Sequence, residues 1–292
     1  MSSAPKPATG TAATRPSYRD LLRTDTQREA WRAFDGALRY EIARRERDWS
    51  EASWSEVLAA ADALFPKELR GMMLRVKKLE RPLAGEMLRE DLWHDSLAAA
   101  HLAHMVGGLD LREPLLAWAA LPFAYDPTHW GDLSLMRYLI YAGADPNAKD
   151  DQGIPALLLC ALREKAPRRL LVAIPLLLDA GADPAITDDH ELVSALQALC
   201  SCERIDEELD GAIRLLLGRG ASMLTPDGKG KTALARLQEG CLDGKPEGEI
   251  SIALRGALIA EAEQVALSSL PQGKPPVTKD IDGRTLRGRG IL

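Results

Sequence analysis

Three histidines in this sequence come nearest to a spacing that could bind a metal ion: His94, His101 and His104. If all three lay on one helix, their offsets of 7 and 10 residues would place them within about a quarter turn of one another, with Asp91 or Asp95 as a further ligand. Zinc ligands must converge within about 2 Å of the ion, whereas His94 and His101 would be separated by about 10 Å of helical rise. We therefore expect packing histidines and predict no metal site.

Two other patterns resemble reactive or ligand-binding motifs only superficially. Cys200-x-Cys202 lacks the second cysteine pair of a zinc site, and Gly228–Thr232 lacks the upstream glycine and the buried strand of a phosphate-binding loop. The nucleophile motif Gly-x-Ser-x-Gly does not occur. The sequence thus predicts no catalytic residue and no cofactor. We do not expect an enzyme, although a separate activity of the N-terminal third stays open as an alternative.

A short sequence motif recurs in the second half of the chain. Ala142–Pro146 and Ala180–Pro184 both read Ala-Gly-Ala-Asp-Pro, and Arg219–Ser222 is a weaker copy, so the glycines lie 38 and 39 residues apart. Each copy follows a short apolar helix, which the glycine can stop because it accepts positive φ, and precedes a polar turn and a helix of small residues. The same period separates the anchor leucines of those later helices: Leu157, Leu196 and Leu234. Such a period is typical of a repeat array.

On these residues, from about 110 to 265, the chain resembles the ankyrin repeat family, in a divergent, bacterial type. The similarity is closest in Gly131–Asn147 and weaker where the family's first helix opens, at Pro155–Leu157 and Thr232–Leu234; Glu113–Ala120 fits as an earlier copy. The resemblance implies an all-α fold: an ankyrin-like α-solenoid of about four repeats within residues 110–270. Another helical-hairpin solenoid is the alternative. We expect Glu249–Leu267 to be the last helix, with Glu261, Glu263 and Gln264 facing outward.

The N-terminal third lacks this motif. Its sequence predicts a helical module, residues 18–109, that packs on the first repeat and caps it. Asp25 or Thr26 would cap a helix whose buried face carries Trp31, Phe34, Leu38 and Ile42. Three further helices are predicted at Val57–Phe65, opened by a capping box at Ser53–Glu56, at Lys67–Glu80 after Pro66, and at Leu83–Val106. Further degenerate ankyrin-like hairpins are the alternative.

The composition indicates the cellular environment that we expect for the protein. No apolar run approaches the roughly 18 residues of a membrane span, and the four cysteines follow no disulfide pattern, so we expect a reducing cytoplasm and no membrane partner. Residues 1–17 are rich in Ala, Pro, Thr and Ser, which predicts a disordered leader rather than a secretory signal. Residues 271–292 predict a flexible basic tail, in which 282–286 looks like the opening turn of another repeat.

Charge is distributed unevenly along the chain. Residues 110–270 hold 15 basic and 25 acidic residues, whereas residues 1–109 have a net charge of +1 and residues 271–292 one of +3. An acidic array repels nucleic acid phosphates, so no nucleic acid partner is expected, and it would steer a basic protein toward its surface. A solvated acidic surface without a partner is the alternative.

The ankyrin resemblance implies protein binding through turn tips and exposed positions of the first helices. The predicted partner-binding residues are Asp150, Asp151, Gln152, Leu158, Asp188, Asp189, His190, Glu191, Gln197 and Asp227. The narrower hypothesis is a bacterial inhibitor or immunity protein whose acidic concave surface blocks a basic partner. The alternative is a scaffold or translocated effector whose N-terminal module carries a separate activity.

Overall fold

The computed structural model describes residues 16–45, 50–79, 81–92, 96–106, 133–162, 173–202, 205–240 and 249–269. These residues form twelve α-helices, one short 3-10 helix and no strand, so the all-α prediction is confirmed for the described part of the chain. The predicted tail at 271–292 and residues 1–15 of the predicted leader lie outside it. Among the described helices, none is both long enough and apolar enough to span a membrane.

Six elements form the N-terminal module. They are a 3-10 helix at Tyr18–Leu21, α1 at Asp25–Arg44, α2 at Glu51–Leu64, α3 at Lys67–Val76, α4 at Arg81–Leu92 and α5 at Leu97–Met105. Helix α1 lies at the centre and contacts α2, α3 and α5. Its predicted buried face is confirmed, because Trp31, Phe34, Leu38 and Ile42 are all buried. The side chains on this face therefore form the core of the module.

Several predicted helix ends are wrong because other residues cap the backbone. Thr24, not Asp25 or Thr26, caps α1 by accepting the Gln27 amide, and Ser50 caps α2, so the predicted capping box at Ser53–Glu56 lies inside that helix. Helix α3 ends at Val76. The single helix predicted for Leu83–Val106 is two helices, since Ser96 caps a new helix that begins at Leu97.

Seven helices follow in the repeat region. They are α6 at Leu133–Tyr141, α7 at Ala156–Ala161, α8 at Ala173–Asp179, α9 at Ala195–Cys200, α10 at Glu207–Gly218, α11 at Ala233–Gly240 and α12 at Glu249–Ser269. Three complete helix pairs, α7 with α8, α9 with α10 and α11 with α12, therefore succeed α6 in the described residues. The residues expected to hold the partner helix of α6 lie in 107–132, outside the described ranges.

The first helices of the pairs lie side by side. Helix α9 contacts both α7 and α11, and the anchors Leu157 and Leu196 are fully buried while Leu234 is half-buried. This is the arrangement that the 38- and 39-residue spacing predicts, since one helix pair cannot bury both of its apolar sides alone. Helices α1 and α5 contact α6, so the N-terminal module and the repeats share one continuous core.

The ends of the second helices also match the prediction. Gly143, Gly181 and Gly220 have φ of 97°, 94° and 105°, so each stops its helix in the left-handed conformation that glycine tolerates. On α12, Glu261, Glu263 and Gln264 are exposed, as expected of the last helix in the predicted stack.

Candidate functional site

Three turns connect the second helix of each repeat to the first helix of the next. We call them turn A (149–155), turn B (187–194) and turn C (226–232), because the first and last residue of each form an antiparallel bridge. Each turn has an aspartate as its second residue, and the amide of that aspartate donates to the carbonyl of a residue near the end of the turn: Asp150 to Ile154, Asp188 to Val193 and Asp227 to Lys231. The three turns thus have one common design.

The aspartates at 150, 188 and 227 hold their own turns together. The Asp150 carboxylate accepts the Gln152 and Ile154 amides at 3.0 and 2.8 Å. The Asp188 carboxylate accepts four consecutive amides, from residue 190 to residue 193, at 2.6 to 3.2 Å. All three side chains are buried, and backbone amides donate to their carboxylate oxygens. The expectation that these three aspartates lie exposed at the turn tips is therefore wrong.

Asp227 carries an additional contact. It accepts the Lys229 and Lys231 amides, each at 2.8 Å, and forms an ion pair with Arg236 of α11. Although desolvation opposes ionisation, the hydrogen bonds from Lys231, Arg236 and Lys229 lower the pKa of Asp227 below its usual range. The carboxylate is thus held ionised as a structural link between turn C and α11.

The two predicted contact positions on the first helices are buried, whereas they were expected to be exposed. Leu158 is 3% exposed and Gln197 is 2% exposed. The Gln197 amide donates to the carbonyls of Thr225 and Lys231, at 3.0 and 3.3 Å, and its oxygen accepts the Ser194 amide at 2.8 Å. Gln197 therefore ties α9 to turn C.

Neighbouring turns are bonded to one another. The Asp189 amide donates to the Gly153 carbonyl at 3.2 Å, and the Gly228 amide donates to the Glu191 carbonyl at 2.6 Å. A Cβ added at Gly153 would lie 2.6 Å from the Asp189 carboxylate, so the glycine permits this close approach. The three turns consequently form one continuous surface, which we call the turn edge.

Five of the predicted residues remain available on the turn edge. Asp151, Gln152, Asp189, His190 and Glu191 are all exposed. They come from turns A and B alone, and the contacts between the two turns bring the five side chains to one surface. That these five residues bind a partner stays a prediction, and the structure shows that all five are exposed on adjacent turns.

The charge of the turn edge changes along its length. Lys149 pairs with Asp189 at 2.5 Å, and Lys229 pairs with Glu191 at 2.6 Å, so each lysine offsets an acid of the adjacent turn. Among the described residues Asp151 has no ion-pair partner. Turn C exposes Lys229 and Lys231. Turns A and B are thus the acidic end of the edge, and turn C is its basic end.

Sequence reasoning missed one exposed residue of turn B. Leu192 is 48% exposed and has φ of 53°, in the left-handed region that a branched aliphatic residue seldom occupies. The signal for it was present in the spacing: six residue steps separate Asp188 from Ser194, whereas five separate Asp150 from Pro155 and Asp227 from Thr232. Leu192 lies two residues before the end of turn B, where Gly153 and Gly230 also have positive φ in their own turns, so it takes a glycine position with an apolar side chain.

The histidines of the N-terminal module have a structural role. His101 is buried, with Nδ1 2.8 Å from the Tyr138 hydroxyl and Nε2 3.2 Å from the Asp62 carboxylate. Since a carboxylate only accepts, Nε2 carries the proton and Nδ1 accepts from Tyr138. The His104 ring packs edge-on against Tyr138, whereas His94 lies outside the described residues. Within the ranges that the structure describes, no group of three or more acidic, histidine or cysteine side chains could hold a metal ion.

The buried imidazole makes stability depend on pH. Burial lowers the pKa of His101 to about 4, although the Asp62 carboxylate raises it in part. As the pH falls below about 6.5, histidine in the unfolded chain binds a proton that folded His101 refuses, so stability is lost on acidification. Asp91 acts oppositely, because burial raises its pKa to about 6. Below that pH the folded state binds a proton at Asp91 more tightly than the unfolded chain does, so this group adds stability on acidification.

We expect the His101→Asn variant to lose less stability on acidification than the unsubstituted protein does. Between about pH 7 and about pH 4.5, the difference should be about 2 kcal/mol in the free energy of unfolding. Urea unfolding of both proteins at the two pH values measures it, and the Asp91 contribution cancels because both proteins retain that residue. Equal acid losses in the two proteins would contradict the assignment of the pH dependence to His101.

Comparison with known proteins matches one segment of the chain to a family. The ankyrin repeat family model matches residues 112–151, a segment that includes α6, the first left-handed stop and the beginning of turn A. No curated protein matches the chain. The family match and the helical stack together confirm the predicted ankyrin-like solenoid. Ankyrin repeats generally mediate protein–protein interaction, so the matched segment supports a protein-binding role in general terms.

Proposed function

We propose, from the premise that residues 112–151 belong to the ankyrin repeat family, that this protein binds a partner protein through the acidic end of the turn edge. The observation that carries the proposal is the bonding between turns. A backbone hydrogen bond from the Asp189 amide to the Gly153 carbonyl joins turns A and B, so five exposed polar side chains share one surface whose backbone is already ordered. A surface ordered in advance binds at a lower entropic cost than a mobile loop.

The charge pattern favours a partner with a basic patch. Asp151, Asp189 and Glu191 lie on turns A and B, and a basic side chain approaching them would compete with Lys149 and Lys229 for the two paired acids. The lysines of turn C would repel the same patch, so the partner should lie across turns A and B with its basic face on them. Such complementarity raises the association rate and selects the partner's orientation.

Leu192 completes the proposed contact. It exposes an apolar side chain within the acidic end of the edge, where a partner could bury it at the centre of a polar rim. Interfaces of ordinary stability bury about 1,600 Å² in total, so the contact would extend beyond the tips onto the adjoining helices.

The narrower proposal is that the protein is a bacterial inhibitor or immunity protein that blocks a basic toxin or enzyme in the cytoplasm. The acidic end of the edge supports the choice of partner, and the buried free thiols of Cys160 and Cys200 support a reducing compartment. Burial raises the pKa of both thiols, so we propose that they serve packing rather than nucleophilic chemistry.

Charge reversal of the exposed acids tests the binding surface. We expect the triple variant Asp151→Lys, Asp189→Lys and Glu191→Lys to bind the captured partner about tenfold to a hundredfold more weakly, because three complementary charges become repulsive. The salt dependence of binding should weaken with it. Affinity capture followed by mass spectrometry identifies the partner, and titration at several salt concentrations measures the affinities.

The control reverses charges elsewhere on the array. Glu207 and Glu208 are exposed at the start of α10, so Glu207→Lys with Glu208→Lys alters net charge without touching the turn edge. Asp150, Asp188 and Asp227 stay unchanged because they hold the turns together. If the edge variant bound as tightly as the unsubstituted protein, or both variants lost affinity equally, the turn edge would not be the binding surface.

A further inference from the structure

Helix α3 of the N-terminal module has a basic surface that is not neutralised by neighbouring acids. Four basic side chains on this helix or directly after it are exposed: Lys67, Arg70, Lys77 and Lys78. Within the ranges that the structure describes, none of these four forms an ion pair. A group of unpaired cations attracts an anionic surface, because no nearby carboxylate reduces its field.

These side chains lie on one side of the helix, around Leu74. Arg70 and Leu74 follow Lys67 by three and seven residues, and Lys77 and Lys78 lie three and four residues after Leu74. The last turn continues past the end of α3, since the Lys77 amide still donates to the carbonyl four residues earlier, at 2.9 Å. The five positions therefore fall within about 100° of the helix circumference, with Leu74, 57% exposed, at the centre. We call these five residues the basic face.

The other sides of α3 hold the module together. Leu69, Met72 and Val76 are buried in the core. Arg75 is half-buried and donates to the Leu21 carbonyl, which ties the 3-10 helix to α3. The packing of the module thus accounts for the buried side of α3 and for Arg75, but not for the basic face.

Helix stability does not account for the whole basic face either. Lys77 and Lys78 lie at the C-terminal end of α3, where the helix dipole favours cations. Lys67 is the first residue of the helix, where the same dipole disfavours a cation. A lysine at this position therefore points to a use outside the helix.

We propose that the basic face binds an acidic segment of a partner protein, whose carboxylates pair with the four cations and whose apolar side chain packs on Leu74. Protein interfaces combine an apolar centre with a polar rim, which is the arrangement of Leu74 among the cations. A nucleic acid would use the cations but not Leu74, and the net charge of −6 repels a long polyanion.

An anionic membrane surface fits the basic face less well. A helix that lies in the plane of a membrane buries a continuous apolar side among the lipids. In α3 that side consists of Leu69, Met72 and Val76, which the core of the module already buries, so only Leu74 is left for the lipid. The proposed contact lies on the N-terminal module and is independent of any partner of the turn edge.

Binding of a synthetic peptide to the full chain tests the basic face. The probe is a labelled helical peptide with one stripe of leucine flanked on both sides by glutamate, and fluorescence anisotropy measures its affinity. We expect Arg70→Glu with Lys77→Glu to weaken binding at least about tenfold, because two attractions become repulsions. Leu74→Ala should weaken it about fivefold, since it removes apolar area from the contact and leaves the charges unchanged.

Two controls accompany these variants. Arg28→Glu with Arg32→Glu makes the same change of net charge at exposed positions of α1, where Arg28 already pairs with Asp25, and it should bind the peptide within about twofold of the unsubstituted protein. A peptide of the same composition, in which the leucines form no stripe, should bind more weakly than the probe.

The other results would overturn the proposal. No binding of the probe to the unsubstituted protein would mean that the face does not take an acidic segment, and equal losses in the two charge variants would mean that net charge alone attracts the peptide. An unchanged affinity in Leu74→Ala would remove the apolar centre of the contact. If a DNA duplex or a phosphatidylserine vesicle bound more tightly than the peptide and was lost with Arg70→Glu and Lys77→Glu, the partner would be a nucleic acid or a membrane instead.

Discussion

Replacing Leu196 with alanine is expected to lower the free energy of unfolding by about 3 kcal/mol. Leu196 is fully buried on α9, the helix that contacts both α7 and α11. Truncation removes apolar surface from the core and leaves a cavity between three repeats, none of which can move inward without losing contact with the next. We measure the loss by urea unfolding followed by circular dichroism.

The same variant should also change how the array unfolds. In a repeat protein, stability is the sum of individual repeats and the interfaces between neighbours, so weakening the middle of the row uncouples its two ends. We expect a broader or two-step transition in Leu196→Ala. The control is Leu74→Ala, whose side chain is 57% exposed on α3 and whose loss should stay within about 0.5 kcal/mol. A cost of less than about 1 kcal/mol at Leu196 would mean that α9 is not the shared core.

Replacing Asp227 with alanine is expected to cost about 3 kcal/mol, through lost polar contacts rather than a cavity. The change leaves the Lys229 and Lys231 amides without their acceptor and Arg236 without its counter-ion. Asp227→Asn should cost less, because the amide oxygen can still accept from the backbone. Asp151→Ala is the control, since Asp151 is exposed in turn A next to Asp150, the residue equivalent to Asp227, and we expect no measurable change there.

The pH dependence separates this contribution from simple packing. The pKa of Asp227 is lowered in the folded state, so its contribution is fully present above the pKa of the unfolded chain, about 4, and is lost as the pH falls through the lowered value. Unfolding of the unsubstituted protein should therefore become easier below about pH 4 by more than it does for Asp227→Ala. Parallel curves for the two proteins would contradict an ionised Asp227 in the folded state.

Periodic features of the sequence predicted the fold well. The 3-4-4 spacing of Trp31, Phe34, Leu38 and Ile42 identified the buried face of α1, because a helix brings such positions to one side. The recurring glycines identified the helix stops, since only a residue without Cβ takes that conformation freely. Helix starts were less predictable, because Thr24, Ser50 and Ser96 compete with nearby residues that can also cap.

The candidate site was predicted less completely. Aspartate is expected in turns, but the sequence does not show whether a carboxylate accepts from its own backbone or faces solvent. Asp150 does the first and Asp151 is exposed, although the two residues are neighbours. Leu158 and Gln197 were expected to be exposed because the ankyrin resemblance implies contacts at exposed positions of the first helices, whereas both are buried. The ion pairs of Lys149 and Lys229 join residues about one repeat apart and have no local signature.

By itself, the sequence determined that this protein is an all-α array of stacked helix pairs with polar turns, because helical periodicity and glycine stops are properties of neighbouring residues. Only the tertiary structure decided which polar groups face outward. Exposure on a repeat is the surface left after the next repeat has packed, and it depends on residues 34 to 40 positions away, as the contacts of Gln197 with Lys231 and of Lys149 with Asp189 show.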